Sequence, residues 1–177
     1  LDAHDRIVTL LKPWLRDHPD DTGAYLRLGR TYLRLDQSQR ALKTWNRALE
    51  RAPSPRLYQQ ISNYCREAGL YETAIQILTD GRKTLRQKRL FEWELAALYL
   101  LDEAYVQAIG TYLKHLQENP QRFVSVEHRL VPIAQDPIRG PKLLQALKRA
   151  LKEGGEPLQI STLISTCALE SGVPQTG

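Results

Sequence analysis

The residues able to act in catalysis or to bind a metal ion are few, and their spacing supports neither role. The four histidines are His4, His18, His115 and His128. None belongs to an HExxH pair, in which two histidines one helical turn apart bind zinc. Phosphate loops of the GxxxxGK[ST] or GxGxxG type and the GxSxG nucleophile turn are also absent. The sequence therefore predicts a protein that is not an enzyme and that carries neither a metal ion nor another cofactor.

Carboxylates and cysteines form no catalytic pair either. The acidic pairs at 20–21 and 102–103 fall in a predicted loop and a predicted turn, where carboxylates commonly cap helices. Cys65 and Cys167 are far apart and lack CxxC spacing, so neither a disulfide framework nor a metal site follows from them. Cys65 lies among apolar helical positions and is predicted to be a small buried apolar residue.

The composition is that of a globular protein with a basic surplus. Of 177 residues, 42% are hydrophobic and 25% are charged, and the formal net charge is +5. The longest uninterrupted apolar run, Leu95 to Leu101, is far below the roughly 20 residues that cross a bilayer. The positive net charge favours acidic partners, but it is small for a dedicated nucleic-acid-binding protein. The sequence does not indicate the cellular compartment.

Small residues recur along the chain at a spacing of 33 or 34 residues. One such series is Ala41, Ala74 and Ala108, and a second is Gly29, Ser62 and Ala96. A repeat of this length is the signature of stacked helical hairpins. A glycine within a helix is less favourable than alanine by about 1 kcal/mol. We therefore expect Gly29 to form a notch that lets the partner helix of its hairpin approach closely.

At these positions the sequence resembles the tetratricopeptide repeat family, whose unit of about 34 residues follows W-x2-L-G-x2-Y, then A-x3-F, then P. The first complete unit reads Tyr25-x2-Leu28-Gly29-x2-Tyr32, then Ala41-x3-Trp45, then Pro53. Aromatic residues thus stand in the Trp and Phe positions. Two further units, which match less fully, extend the resemblance to about residue 120. It implies an all-α, right-handed solenoid of antiparallel helix pairs with about ten helices.

Turn and cap residues divide the chain into six expected segments. These are a closing helix at 1–21, three repeats at 22–54, 55–87 and 88–121, a degenerate repeat at 122–155 and an opening helix at 156–177. The first seven expected helices are 2–17, 22–35, 38–51, 55–68, 71–86, 88–101 and 104–118. Pro132 should kink or end the next. The expected turn residues are Asp36, Gly69, Asp102 and Gly172, and the expected N-caps are Asp21 and Ser54. The chain is expected to begin and end within a longer array, which exposes apolar surface at both ends.

Stacked hairpins of this kind line a concave face with their first helices, and the side chains opposite the core stripe are predicted to bind a partner. These residues are Leu26, Arg30, Arg34, Gln59, Asn63, Arg66, Trp93 and Leu100. The arginines favour carboxylates, Asn63 can pair with a peptide backbone, and Trp93 with Leu100 can hold an apolar anchor. The predicted function is a scaffold that binds an acidic protein or peptide segment with a hydrophobic anchor.

Three alternatives stay open. The apolar positions of the third unit can instead pack against residues 123–131. The basic segment Gly81–Arg89 is consistent with RNA binding, although cations near a helix end also complement the helix dipole, and no base-reading pair recurs from unit to unit. Self-association through the exposed ends of the array, giving a homodimer, is the third alternative.

Overall fold

A computed structural model describes residues 3–154 and 157–170, with the side chain of Glu170 excepted. All regular secondary structure within them is helical, in ten α-helices and one 3-10 turn. The helices are α1 (Ala3–Asp17), α2 (Thr22–Arg34), α3 (Ser38–Arg51), α4 (Pro55–Glu67), α5 (Tyr71–Thr84), α6 (Glu92–Leu101), α7 (Tyr105–Glu118), α8 (Phe123–Ala134), α9 (Arg139–Lys152) and α10 (Pro157–Glu170). The predicted all-α class is confirmed.

The chain forms two compact units, Leu1–Leu90 and Phe91–Gly177. In the first unit α2 packs on α3 and α4 packs on α5, while α1 packs against α2. In the second unit α6 packs on α7, α8 packs on α9, and α10 contacts both α8 and α9. Short turns join the members of each pair, so they run antiparallel. Consecutive helical hairpins are the arrangement expected of an all-α helical repeat.

The turn inside a hairpin has the same backbone conformation in the first three pairs. The residues with positive φ at this point are Asp36, Gly69 and Glu103, with values of 56°, 73° and 55°. The next amide N–H donates to the carbonyl oxygen five residues earlier, as Gln37 does to Tyr32 at 2.9 Å. This is the Schellman cap of a helix C-terminus. The spacing of 33 and 34 residues seen in the sequence therefore recurs in the backbone, although the third turn residue is Glu103 and not Asp102.

Two of the helices begin at the caps expected from the sequence. The Asp21 carboxylate accepts a hydrogen bond from the Ala24 amide at 2.8 Å, and the Ser54 hydroxyl oxygen accepts one from the Leu57 amide at 3.3 Å. Asp21 accepts a second bond, at 2.8 Å, from the indole N–H of Trp14. This bond ties α1 to the start of α2. Hydrogen bonds from Trp14 and Ala24 lower the pKa of Asp21 below its ordinary value of 3.8.

Close helix approach inside the first unit depends on glycine. A Cβ atom at Gly29 would lie closer than 3.0 Å to three atoms of the Trp45 indole. Trp45 is fully buried, and its ring N–H donates to the Leu26 carbonyl oxygen at 3.3 Å. In the next hairpin, a Cβ at Gly81 would lie 2.8 Å from the Tyr58 ring. The notch expected at Gly29 is confirmed, and it accommodates an aromatic side chain of α3.

The second unit has its own apolar core, built from α6 to α10. Its fully buried members include Leu116, Leu130 and Leu143, and Cys167 lies among them. Cys65 of the first unit is equally buried, as predicted, and both cysteines are free thiols. Burial raises the pKa of each thiol to about 11.

Among the helix boundaries that differ from the sequence prediction, two lie near Phe91 and Pro132. Helix α6 begins at Glu92 and not at 88, because Phe91 has a left-handed φ of 62°. The side chain of Arg82 donates to the Leu90 carbonyl oxygen and thereby holds this segment. Helix α8 continues two residues past Pro132, to Ala134, so the proline does not end the helix at its own position. The turn expected at Gly172 lies outside the described residues.

Candidate binding surface on the first unit

Helices α2 and α4 lie side by side in the first unit and run in the same direction. Their first turns line one hollow of about 500 Å³, which includes Leu26, Leu57 and Gln60. Their last turns line a second hollow of about 260 Å³, whose lining residues are Arg30, Leu33, Arg34, Tyr64, Glu67 and Ala68. We call the surface that contains both hollows the α2–α4 face. It places a depression of mixed apolar and polar lining and a cationic one on the same pair of helices.

Arg30 is the best-positioned side chain of the α2–α4 face. Its guanidinium carbon lies 5.1 Å from the centroid of the Tyr64 ring, within cation–π range. The Tyr64 ring in turn stacks on Trp45, with centroids 5.8 Å apart and planes inclined by 24°. Arg30 and Glu67 approach to 4.0 Å, and the side chains are 47% and 54% exposed. A pair this long and this exposed contributes little, so the guanidinium can still bind a carboxylate.

The predicted residues of α2 and α4 do not all line the hollows. Leu26, Arg30 and Arg34 do line them. Asn63 and Arg66 are exposed on α4 but line neither hollow, and Gln59 is half-buried. We therefore place the predicted arginine pair at the centre of the surface and the polar residues of α4 at its side.

The positions that face α2 are occupied by Gln60 and Tyr64, one residue after Gln59 and Asn63. One residue is about 100° around a helix, which is enough to move a side chain off a surface. Tyr64 was missed because it aligns with Thr31 in the preceding unit, so the repeat gives no aromatic signal. Its spacing of four residues from Gln60 is the signal that could have found it.

The two residues predicted as an apolar anchor lie in the second unit and are covered there. Trp93 packs edge-on against Tyr112, with ring centroids 5.4 Å apart. The guanidinium carbons of Arg122 and Arg129 lie 5.3 Å and 4.5 Å from the centroid of Trp93. Leu100 is 8% exposed and belongs to the core. The segment that begins at Pro120 therefore contributes to covering this position, and neither side chain offers an open apolar surface.

Neither a metal-ligating cluster nor a membrane-spanning helix occurs in the described part of the chain. No group of three or more His, Cys, Asp or Glu side chains in residues 3–154 and 157–170 is placed to hold a metal ion. None of the helices there has the length and apolar character needed to cross a membrane. In comparisons with known proteins, neither a family model nor a curated sequence matches the chain.

Proposed function

We propose that the protein is a non-catalytic scaffold of the tetratricopeptide repeat type that binds a segment of another protein. The observation that carries the proposal is the position of Arg30 over Tyr64, where it lines one of two hollows on the same face together with Arg34. The recurrence of the same turn conformation at 33 and 34 residues supports the assignment to this repeat type, because each unit of such an array repeats one supersecondary structure.

The chemistry of the α2–α4 face selects the partner. The planar guanidinium groups of Arg30 and Arg34 match a carboxylate in geometry. The hollow at the start of the two helices is lined by Leu26 and Leu57 and also by Arg56, so it suits an apolar side chain that lies next to an acidic one. The ligand is therefore an acidic segment with one apolar residue, and its anchor fits the Leu26 hollow better than the covered Trp93.

The test is a pull-down of an acidic peptide library that carries one leucine or phenylalanine per peptide. Replacement of both Arg30 and Arg34 by Glu should abolish recovery. The matched control is Lys43→Glu with Arg47→Glu on α3, which makes the same change in net charge at exposed positions. Equal recovery with the two double variants would remove the proposal.

RNA binding is a second candidate, and one observation favours it. A hollow of about 450 Å³ in the first unit is lined by Arg82, Lys83, Arg86, Lys88 and a single neutral residue, Thr79. The helix dipole accounts for cations in the last turn of α5, but Arg86 and Lys88 follow the end of that helix. A steep loss of oligonucleotide binding with increasing salt would support this candidate over peptide binding.

Self-association is a third candidate. Helix α1 exposes 70% of Leu10 and 46% of Trp14 to solvent, and exposed apolar groups near each other favour association. Light scattering of the chain separates this candidate from the others, because a strictly monomeric protein excludes it.

A further inference from the structure

A groove in the second unit has an apolar floor and a cationic wall. It lies between the start of α7, at residues 103–107, and the length of α9 from Pro141 to Lys152, and it encloses about 930 Å³. Tyr105, Leu144 and Ala146 form buried parts of its lining, whereas Val106 is 41% exposed. We call it the α7–α9 groove.

The cations in the wall of the α7–α9 groove outnumber the acidic groups that pair with them. Its cations are Lys142, Lys148, Arg149 and Lys152, and the one acidic lining residue is Glu103. Glu103 already pairs with Lys142 at 3.0 Å, and Arg149 pairs with Glu153 at 2.7 Å. Lys148 and Lys152 are exposed and lie one helical turn apart on α9. They give the groove its positive surplus.

The positions of these cations are only partly explained by helix stability. Cations in the last turn of α9, such as Arg149 and Lys152, complement the helix dipole. The same argument disfavours Lys142, which lies in the first turn. Neither argument accounts for the apolar floor beside them, because the part of Val106 that stays exposed gains nothing from folding, whereas a partner that covered it would gain from its burial.

We propose that the α7–α9 groove docks an amphipathic helix of a partner protein, with acidic residues along the side that meets α9. The lining of α9 from Pro141 to Lys152 spans roughly 16 Å, which matches about three turns of a second helix. Apolar residues spaced three and four apart fit the floor, and carboxylates one turn apart fit Lys148 and Lys152. This site lies in a different unit from the α2–α4 face.

The probe is a fluorescein-labelled synthetic peptide of about five helical turns, with leucines on one stripe and glutamates on both sides of it. Fluorescence anisotropy should show saturable binding to the full chain. The double variant Lys148→Glu with Lys152→Glu should weaken it at least about tenfold, and Val106→Asp should weaken it as well. The control, Lys43→Glu with Arg47→Glu, should stay within about twofold. All four substituted cations are exposed on helices, and circular dichroism checks that the variants fold.

Each of the following results would overturn the docking proposal. The first is that the acidic peptide does not bind, and the second is that the control variant weakens binding as much as the α9 variant does. The third is that a peptide whose helix is broken by a central proline binds equally well. The last is a dimer, detected by light scattering, that Val106→Asp dissociates. The last result would make a second copy of the chain the occupant. If Arg30→Glu with Arg34→Glu abolished binding and the α9 variant did not, the peptide would occupy the α2–α4 face. The groove proposal would then fail while the proposed function stood.

Discussion

The indole ring of Trp45 occupies the space that a side chain at position 29 would need. A Cβ atom at Gly29 would approach three of its ring atoms to less than 3.0 Å, and the ring is fixed by its hydrogen bond to the Leu26 carbonyl oxygen. The same ring supports Tyr64, over which Arg30 lies. Glycine at position 29 thus contributes both to the closeness of α2 and α3 and to the placement of the candidate binding residue.

We expect Gly29→Ala to destabilise the protein by up to about 2 kcal/mol. The added methyl group raises helix propensity by about 1 kcal/mol, but overpacking a buried indole costs about 1–3 kcal/mol. Because the Trp45 ring is fully buried and a Cβ atom at position 29 would lie closer than 3.0 Å to three of its atoms, the second effect dominates. Urea denaturation followed by circular dichroism measures the difference, and a loss of peptide recovery would accompany any shift of Tyr64.

The control for this prediction is Gly110→Ala. Gly110 also lies within a helix, α7, but a Cβ atom there would meet nothing within 4 Å. Only the propensity gain remains, so this variant should be more stable than the natural chain by up to about 1 kcal/mol. If both alanine variants gained stability, the indole would be free to move, and the notch would not be what keeps glycine at position 29.

The residues with left-handed φ in the hairpin turns give a second prediction. Substitutions at Gly69 and Asp36, which occupy equivalent turn positions, should change stability in opposite directions. Gly69 has φ +73° and open space around it, so Gly69→Ala should destabilise by about 1 kcal/mol through backbone strain alone. Asp36 has a φ of 56° in the same type of turn. Asp36→Gly relieves that strain and should be neutral or stabilising by up to about 1 kcal/mol. Thermal unfolding of the two variants tests the pair, and losses of equal size in both would contradict the shared conformation.

The sequence predicts the hairpins better than it predicts the surface between them. Recurring small residues determine which helices approach, so the notch at Gly29 and the buried Cys65 could be anticipated from spacing alone. The binding surface depends on rotation about the helix axis, where one residue moves a side chain by about 100°. Tyr64 was therefore missed, and Asn63 was placed nearer the centre than it lies. Leu100 could not be recognised as a core residue, because α6 is apolar on several sides and its pattern does not identify a buried face.

Asp21 gives a prediction on pH. Its carboxylate caps α2 and accepts the Trp14 bond, and these hydrogen bonds lower its pKa in the folded state. The ionised form is the stabilising one, so its contribution is complete above the unfolded pKa, near 3.8. That contribution is lost as the pH falls below this value and through the folded pKa. Asp21→Ala should remove about 1 kcal/mol of stability at pH 7 and should flatten the acid limb of the stability curve.

Asp21→Asn is the matched variant for the same position. Its amide oxygen can still accept a bond from the Ala24 amide, and asparagine caps helices about as well as aspartate. It should therefore keep most of the stability at pH 7 while losing the acid dependence that Asp21 contributes. An unchanged pH profile in both variants would show that other carboxylates dominate acid unfolding.

The two thiols give the last prediction. Cys65 and Cys167 are fully buried, in different units, and burial raises the pKa of each to about 11. At pH 8 the thiolate fraction is then only about one in a thousand, and access to the sulfur requires opening of the surrounding helices. The native protein should therefore react with a disulfide reagent at least about a hundredfold more slowly than the chain in concentrated urea. The variants Cys65→Ala and Cys167→Ala show which labelling reaction belongs to which thiol. The dependence of each labelling rate on urea concentration then measures the stability of each unit separately. Rapid labelling of either thiol in the native state would contradict the packing of the helices that cover it.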